Sequence, residues 1–578
     1  MMMNNRSSTT SIQQLMLLLV VVVATIMVVV VPTMAQIPNY PTITVDKQVF
    51  TQSTVIVSVL LNHLTNDLTL QLTSEPVPPQ SSVVASGAFS DDIATTGWSR
   101  LNITTHPTVS DIDQAFIGGF IEGVVSAQRI SQMWTNYASN EFTNSTPSST
   151  LISYMSSQLQ WVRQSIAAPH TASPTQGSIN GTVYWYSVGL VMAQFDGLVA
   201  GYAAVPALPV LNEMDLYLLT SAGDLETLNE LYGTAPTGRA RKHMMTGDRD
   251  DADAIDFLDC SALIRVLPNN QDIYFGHTTW RYFYAMMRVY KTYTFAFKNY
   301  GLASSVSFSS SPGFLSSKDD FYITGNGLAV AETTNSIFND TLYTYVIPET
   351  LLVWQRAIVS NMISQSPQVW VQLFQQFNSG TYNNQWMVLD YKMFTPGTAL
   401  PAGSFFILEQ IPGFCEVADM TANLNKNGFW PSYNIPYSEY VYNISGYNEM
   451  FEKYGNSYSY ENCPRAQIFN RNATSITDFA EMQSIMQFNN YQKDPLSLGS
   501  PMNSISSRAD LLSSSPVGFG GVDSKITSFK LAQTLSCSAI SGPTHQGQPP
   551  FRFSANPSFN NASHVGLPDV WDFGWVDF

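Results

Sequence analysis

Cys260 is the residue whose type and place most invite chemistry. It opens the segment Cys260-Ser261-Ala262-Leu263-Ile264-Arg265-Val266-Leu267, a good strand, directly after the most charged stretch of the sequence. By type alone a cysteine is more often a small buried hydrophobe than a reagent. Position changes that reading. A chain cut just before Cys260 would carry a free α-amine beside the thiol, so one residue would supply both nucleophile and base. Pro268-Asn269-Asn270-Gln271 makes a turn, and Asp272-Ile273-Tyr274-Phe275-Gly276-His277 can return as a paired strand, bringing His277 near the start of the first. A lone His or Trp is usually packing, so His277 and Trp280 are weak candidates by themselves.

The stretch before Cys260 spans residues 234–259. It carries Arg239, Arg241, Lys242, His243 and Arg249, then Asp248, Asp250, Asp251, Asp253, Asp256 and Asp259. Charged residues are only 12% of the chain, so this is its largest local shift in composition. It reads as an exposed linker, where proteolysis concentrates; a solvated surface loop is the plainer alternative.

Other chemistries leave little trace. There is no Gly-X-Ser-X-Gly elbow, no Walker loop and no HExxH. The 43 acidic residues always offer pairs, which leaves glycoside cleavage open without favouring it. The four cysteines, Cys260, Cys415, Cys463 and Cys537, match no zinc spacing, and no metal or cofactor is expected. With one kept free, the others form at most one bridge. The 26 basic residues give a net charge of −17, which argues against a nucleic-acid partner.

The beginning of the chain suggests a compartment. A polar start with the single charge Arg6 leads into the apolar run 15–31, and Pro32-Thr33-Met34-Ala35 follows with small residues at the positions a signal peptidase reads. The expectation is a signal peptide over 1–35, with an uncleaved anchor as the alternative and no membrane span after its removal. Seven Asn-X-Ser/Thr sites beyond the signal fit a secretory route: Asn102, Asn144, Asn180, Asn339, Asn443, Asn472 and Asn561. Sugars would also keep a charge-poor surface in solution.

The elements that must position Cys260 are partly legible. Residues 55–59 and 68–72 are β-rich. Apolar residues near helical spacing predict a helix over 111–138, with Asp111 able to cap it. Residues 148–166 and 184–203 read as helices, the second apolar almost all round and therefore buried. Residues 208–219 suggest extended or buried structure. Residues 280–290 read as a helix with an aromatic and methionine face. Gly325-Asn326-Gly327 sits between two strand-like runs as a hairpin turn. Residues 385–391 and 405–410 are further strands, and Gly518-Phe519-Gly520-Gly521 reads as a loop.

These residues together resemble the phospholipase B-like family, also called the lamina ancestor family. The matching segments are Cys260 to Pro268, His277-Thr278-Thr279-Trp280, Ser316-Ser317-Lys318-Asp319-Asp320-Phe321-Tyr322, Glu332-Thr333-Thr334-Asn335-Ser336, Tyr382-Asn383-Asn384-Gln385-Trp386-Met387, Cys463-Pro464-Arg465-Ala466-Gln467-Ile468-Phe469, Ser541-Gly542-Pro543-Thr544 and Asp569-Val570-Trp571. The resemblance implies an α+β fold of the N-terminal nucleophile (Ntn) hydrolase type: a four-layer αββα sandwich of two mostly antiparallel sheets. It implies a secreted or lysosomal glycoprotein made as a precursor. After the signal peptide 1–35, an N-terminal fragment 36–241 and a C-terminal fragment 260–578 would form one domain, with the linker 242–259 excised and the cut between Asp259 and Cys260. Cys260 would be the nucleophile, with His277, Trp280, Asn434 and Arg465 as pocket residues. Asn434 and Arg465 would stabilise the oxyanion. The implied activity removes acyl chains from glycerophospholipids. An amidase acting on small acyl amides, and a lysosomal lipid-binding glycoprotein without turnover, are the alternatives.

Overall fold

Two stacked sheets carry the chain in its computed structural model, which describes residues 40–46, 54–63, 65, 67–73, 82–170, 180–233 and 260–578. The signal peptide, the linker 242–259 and Asp259 lie outside the described residues.

The large sheet has twelve strands. It runs from Ile43–Val45 through Leu68–Leu72, Thr54–Leu61, Val83–Asp92 and Trp98–Thr105, then through Arg288–Thr294, Ser305–Ser310, Phe321–Thr324, Leu328–Thr334, Asn384–Asp390 and Phe405–Ile411 to Phe414–Asp419. Only two pairings are parallel: the edge pair Ile43–Val45 with Leu68–Leu72, and Trp98–Thr105 with Arg288–Thr294. The second joins five strands that precede Cys260 to seven that follow it. The small sheet has six strands, all antiparallel: Phe429–Ser432, Ser261–Val266, Ile273–Tyr282, Phe519–Ser528, Ser538–Ser541 and Val576–Asp577.

Alternation along each strand gives the sheets two buried faces. The outer face of the large sheet, with Val57, Val289, Val330, Trp386 and Leu408, packs on a helical layer that includes Asp111–Val125 and Val353–Ile363. Gly181–Ala203 lies directly on Asp111–Val125, and glycine sets how closely. A Cβ on Gly119 would stand 1.9 Å from the Gln194 carbonyl oxygen, and one on Gly197 would stand 2.0 Å from that of Phe116. Between the sheets, Ala262, Ile264 and Phe275 meet Tyr290, Phe321, Ala331 and Met387. The far face of the small sheet, with Leu263, Tyr274 and Ile526, packs on the helices Pro464–Asn472 and Phe479–Met486. The result is the expected αββα sandwich.

Local expectations fared unevenly. The helix expected over 111–138 is two helices, Asp111–Val125 and Ala127–Glu141, broken at Ser126. Its cap is Ser110, whose hydroxyl accepts from the Asp113 amide; Asp111 instead accepts the backbone N–H groups of Lys298 and Asn299. Residues 208–219 contain the helix Glu213–Thr220, started by an Asn212–Asp215 capping box. Residues 280–290 are not a helix. Trp280 to Tyr282 continue the His277 strand because Phe519–Gly521 pairs with them, and Arg288–Thr294 is a strand of the large sheet. Nor is 518–521 a loop: Phe519 opens a central ten-residue strand. Gly520 is required there, since its φ is +140° and a Cβ would stand 2.2 Å from the Ser507 carbonyl oxygen.

Candidate active site

The hairpin register brings the first two candidates together. Ser261 pairs with Thr278 and Ala262 with His277, so Cys260, Ala262 and His277 share the face turned toward the large sheet. Cys260 is buried, 3% exposed. Glu332 arrives from the large sheet, on the strand Leu328–Thr334. The Cys260 sulfur, a His277 ring nitrogen and a Glu332 carboxylate oxygen all lie within 4.8 Å of one another. Sequence reasoning had Glu332 only inside a family segment and assigned it no role. The contact depends on stacking two sheets, which strand patterning does not reveal.

Arg465, at the start of the helix Pro464–Asn472, fixes the nucleophile's backbone. Its guanidinium donates to the Cys260 carbonyl at 2.6 Å, to the Ser261 hydroxyl at 3.2 Å and to the Tyr433 carbonyl at 2.7 Å. It also lies over the Trp280 ring, 4.5 Å from the centroid, and the Trp280 indole N–H is anchored on the Ile505 carbonyl. Asn434 follows Tyr433 and donates from Nδ2 to the Thr334 carbonyl at 2.6 Å, which ties it to the end of the Glu332 strand. Cys260 and Asn434 both have left-handed backbone, φ +65° and +68°. Asparagine tolerates that conformation, whereas at Cys260 it costs roughly 1–2 kcal/mol, strain of a kind often found at functional sites.

Lys525, which strand pairing sets opposite His277, adds to burial in setting the state of the imidazole. The Lys525 ammonium donates to Asp523 Oδ1 at 2.7 Å and to the Thr279 hydroxyl at 2.5 Å. An ammonium can only donate, so the Thr279 proton is left for its long contact, 3.5 Å, with His277 Nδ1. His277 Nε2 then carries the hydrogen and donates to the Glu332 backbone carbonyl at 2.8 Å. Burial first, and then the charge of Lys525, hold His277 well below the usual imidazole range. His277 is thus a neutral, oriented ring.

Behind it runs a chain of buried charges. Asp523 bridges Lys525 and Arg288, whose Nε donates at 2.8 Å, and Arg288 reaches Asp319 at 2.6 Å. All four side chains are at most 1% exposed. Burial alone would raise Asp319, but Arg288 and Arg281 hold it below the usual carboxylate range. The next carboxyl behaves oppositely: burial, reinforced by Asp319, pushes Asp320 up to about 7. Burial likewise raises Glu409 to about 7 and Asp224 to about 6, and lifts Glu332 well above the ordinary value.

These shifts set how stability depends on pH. In the unfolded chain the four raised carboxyls release protons near about pH 4. The native protein keeps those of Asp320, Glu409 and Asp224 to about pH 6 or 7 and that of Glu332 well beyond its ordinary range, so across that window it binds more protons and stability falls as pH rises. His277 and His106, whose values burial lowers, act in the opposite sense below about pH 6.5. The Asp319 contribution is complete above about pH 4 and constant through the window. Four carboxyls outweigh two imidazoles, so the melting temperature is expected to be higher at pH 5 than at pH 7.5. Calorimetry at the two pH values checks this, and a higher value at pH 7.5 contradicts it.

Cys260, His277 and Glu332 also have the donor types of a zinc site. The surroundings argue otherwise. Both His277 nitrogens are engaged, and Arg465 and Lys525 bring positive charge to the same place. The arrangement suits proton handling around a sulfur nucleophile better than a divalent cation.

A family model described as Phospholipase B matches residues 85–578. The chain belongs to the phospholipase B family. It is 48% identical over 572 residues to phospholipase B-like protein G of Dictyostelium discoideum, with 93% of each chain covered. It is 40% identical over 500 residues to human phospholipase B-like 1, covering 85% of this chain and 86% of that one. Phospholipase-B 81 of Drysdalia coronoides is 36% identical over 500 residues, covering 85% and 88%. The span matched by the family model takes in Cys260, His277, Trp280, Glu332, Asn434, Arg465 and Lys525.

The remaining family-wide expectations meet the structure as follows. All four cysteines are unbridged, and burial pushes Cys415 and Cys537 up to about 12. Among the described residues no helix is long and apolar enough to cross a membrane. Of the sequon asparagines, Asn102, Asn144, Asn180, Asn443 and Asn561 are exposed. Asn339 and Asn472 are half-buried, and their amide nitrogens donate to the carbonyls of Ile444 and Ile468.

Proposed function

We propose that the protein is an Ntn hydrolase that removes acyl chains from glycerophospholipids, with Cys260 as nucleophile after the chain is cut between Asp259 and Cys260. The observation that carries this reading is a strained, buried cysteine at the start of a central strand. His277, Glu332 and Arg465 surround it, in a family whose relatives bear the name phospholipase B.

The thiol of Cys260 attacks the carbonyl of Asp259 in the precursor; the peptide nitrogen leaves, and water opens the resulting thioester. In the mature protein the same sulfur attacks an ester carbonyl of the lipid. The alcohol leaves, and water releases the fatty acid from the thioester. Arg465 acts by holding the Cys260 carbonyl and the Ser261 hydroxyl, so its first task is to position the nucleophile. The Asn434 carboxamide, held at Thr334, is the donor for the oxyanion. Trp280 walls the pocket beneath Arg465. His277, neutral and fixed on both nitrogens, orients its neighbours and takes no proton from the thiol.

Residues 242–259 are excised in this reading, giving fragments 36–241 and 260–578. They stay together because the parallel pairing of Trp98–Thr105 with Arg288–Thr294 joins strands from both within one sheet. The carboxyl groups that favour acid stability suit delivery to a lysosome, and the seven sequons suit a secretory route. The sugars belong on the five exposed asparagines; intact mass before and after glycosidase treatment counts them.

The substrate test is a panel of diacyl and lyso glycerophospholipids beside small acyl amides, given to the processed protein. Release of fatty acid from the phospholipids faster than from the amides is expected. The reverse order makes the protein an amidase, and turnover of neither leaves a binding role.

A further inference from the structure

The reading above leaves one group beside the nucleophile unused. Glu332 is fully buried, with Oε1 2.9 Å from the Tyr382 hydroxyl. Tyr382 has one proton, and its hydroxyl also contacts the Lys318 carbonyl. The hydroxyl thus faces two acceptors, Glu332 Oε1 and the Lys318 carbonyl, with one proton to give, and a neutral, protonated Glu332 relieves that conflict. Burial first, then Asp320 and Asp319, favour the neutral acid, against the Tyr382 hydroxyl and the charge of Lys318. The other carboxyl oxygen, Oε2, is buried and has no hydrogen-bond partner among the described residues. A buried acceptor left so is unfavourable until a donor reaches it. One oxygen of this carboxyl stands within 4.8 Å of both the Cys260 sulfur and a His277 ring nitrogen.

We propose that Glu332 is the positioning residue for the α-amine that the cut releases at Cys260. This rests on the maturation set out above but not on the identity of the substrate. In the precursor the Cys260 nitrogen is an amide, neutral, and Glu332 keeps its proton. Hydrolysis adds water across the Asp259–Cys260 bond: Asp259 gains a carboxyl group and the Cys260 nitrogen gains a hydrogen. The new amine takes the proton from Glu332, and an ammonium–carboxylate pair replaces a neutral amine and a neutral acid. No proton enters or leaves in that exchange. The pair supplies the donor that Oε2 lacks and fixes the amine against the sulfur, where a second ammonium N–H favours the thiolate. Asp320, Asp319, Lys318, Tyr382 and His277 are the other titratable groups around this carboxyl.

The test uses Glu332→Gln, which keeps the shape and the reach to Tyr382. The processed protein is alkylated with iodoacetamide across a pH series, and the N-terminal peptide of the large fragment is followed by mass. A carboxylate raises the pKa of both thiol and amine, so its loss should move the alkylation midpoint to lower pH by about one unit or more. Turnover should fall about tenfold in kcat with KM unchanged, a split that packing damage would not give. An alkylation profile that matches wild type overturns the inference, whatever the lipid panel shows. An uncut Glu332→Gln chain also overturns it, because the residue would then act before the amine exists. If the lipid panel is inert for both proteins while the midpoints differ, the substrate reading fails and this one stands. Should the Gln variant fail to fold, Glu332→Asp keeps the charge but withdraws it by one methylene; its midpoint should lie below that of wild type, and equality overturns the proposal.

Discussion

Cys260→Ala is expected to give a single uncut chain with turnover lower by on the order of 10⁴-fold or more, the scale seen when a covalent nucleophile is removed. The residue sits where an added or lost thiol changes little else. It is a small buried side chain at the strand start, and its backbone is held by Arg465 through the carbonyl, which alanine retains. Folding should therefore survive, with a melting temperature near that of an uncut wild-type precursor. Cys260→Ser separates the two steps. A hydroxyl can make the same attack on the Asp259 carbonyl, so some cutting should persist, while lipid turnover should be far slower. Gel analysis gives the cut and fatty-acid release gives the turnover. Full activity in a folded Cys260→Ala protein would remove Cys260 from the chemistry and leave a binding role.

Arg288→Met is expected to cost about 3–5 kcal/mol of stability, the usual result when one partner of a buried ion pair is removed. Arg288 is the only cation that touches both Asp319 and Asp523 among the described residues, and all three are buried. Methionine fills much of the same volume, so packing loss is small and the charge loss dominates. Two carboxylates would be left in the gap between the sheets with Lys525, Arg281 and Lys318 as their remaining cations. The loss should be largest near neutral pH and shrink in acid, where an Asp319 released from Arg288 takes up a proton. Denaturant unfolding at pH 7 and pH 4 tests this. A loss below 1 kcal/mol at pH 7, or one that grows in acid, would show that the charge chain does not hold the sheets in place.

The sequence carried the nucleophile and its nearest neighbour because both lie on one hairpin. A turn at 268–271 fixes the register, and register alone puts His277 beside the start of the Cys260 strand. The groups that tune the site were not legible in that way. Lys525 and Asp523 sit on a strand whose opening, Gly518-Phe519-Gly520-Gly521, has the composition of a loop; close approach of Ser507 and Ser506 explains Gly520 and Gly521. Arg288 fell inside residues read as a helix from an aromatic and methionine stripe, whereas the pairing with Trp98–Thr105 makes it a strand. Glu332 was in plain view on a hairpin strand, but its neighbours belong to the other sheet and to Tyr382. Layer order came with the family resemblance, while contacts across the gap depend on how two twisted sheets stack. Those contacts decide protonation.

N-terminal sequencing of the large fragment tests the central claim most directly. The account predicts Cys-Ser-Ala-Leu-Ile, with Cys260 leading and its α-amine free. Any other first residue leaves Cys260 within a peptide bond or removes it, and contradicts the proposed nucleophile.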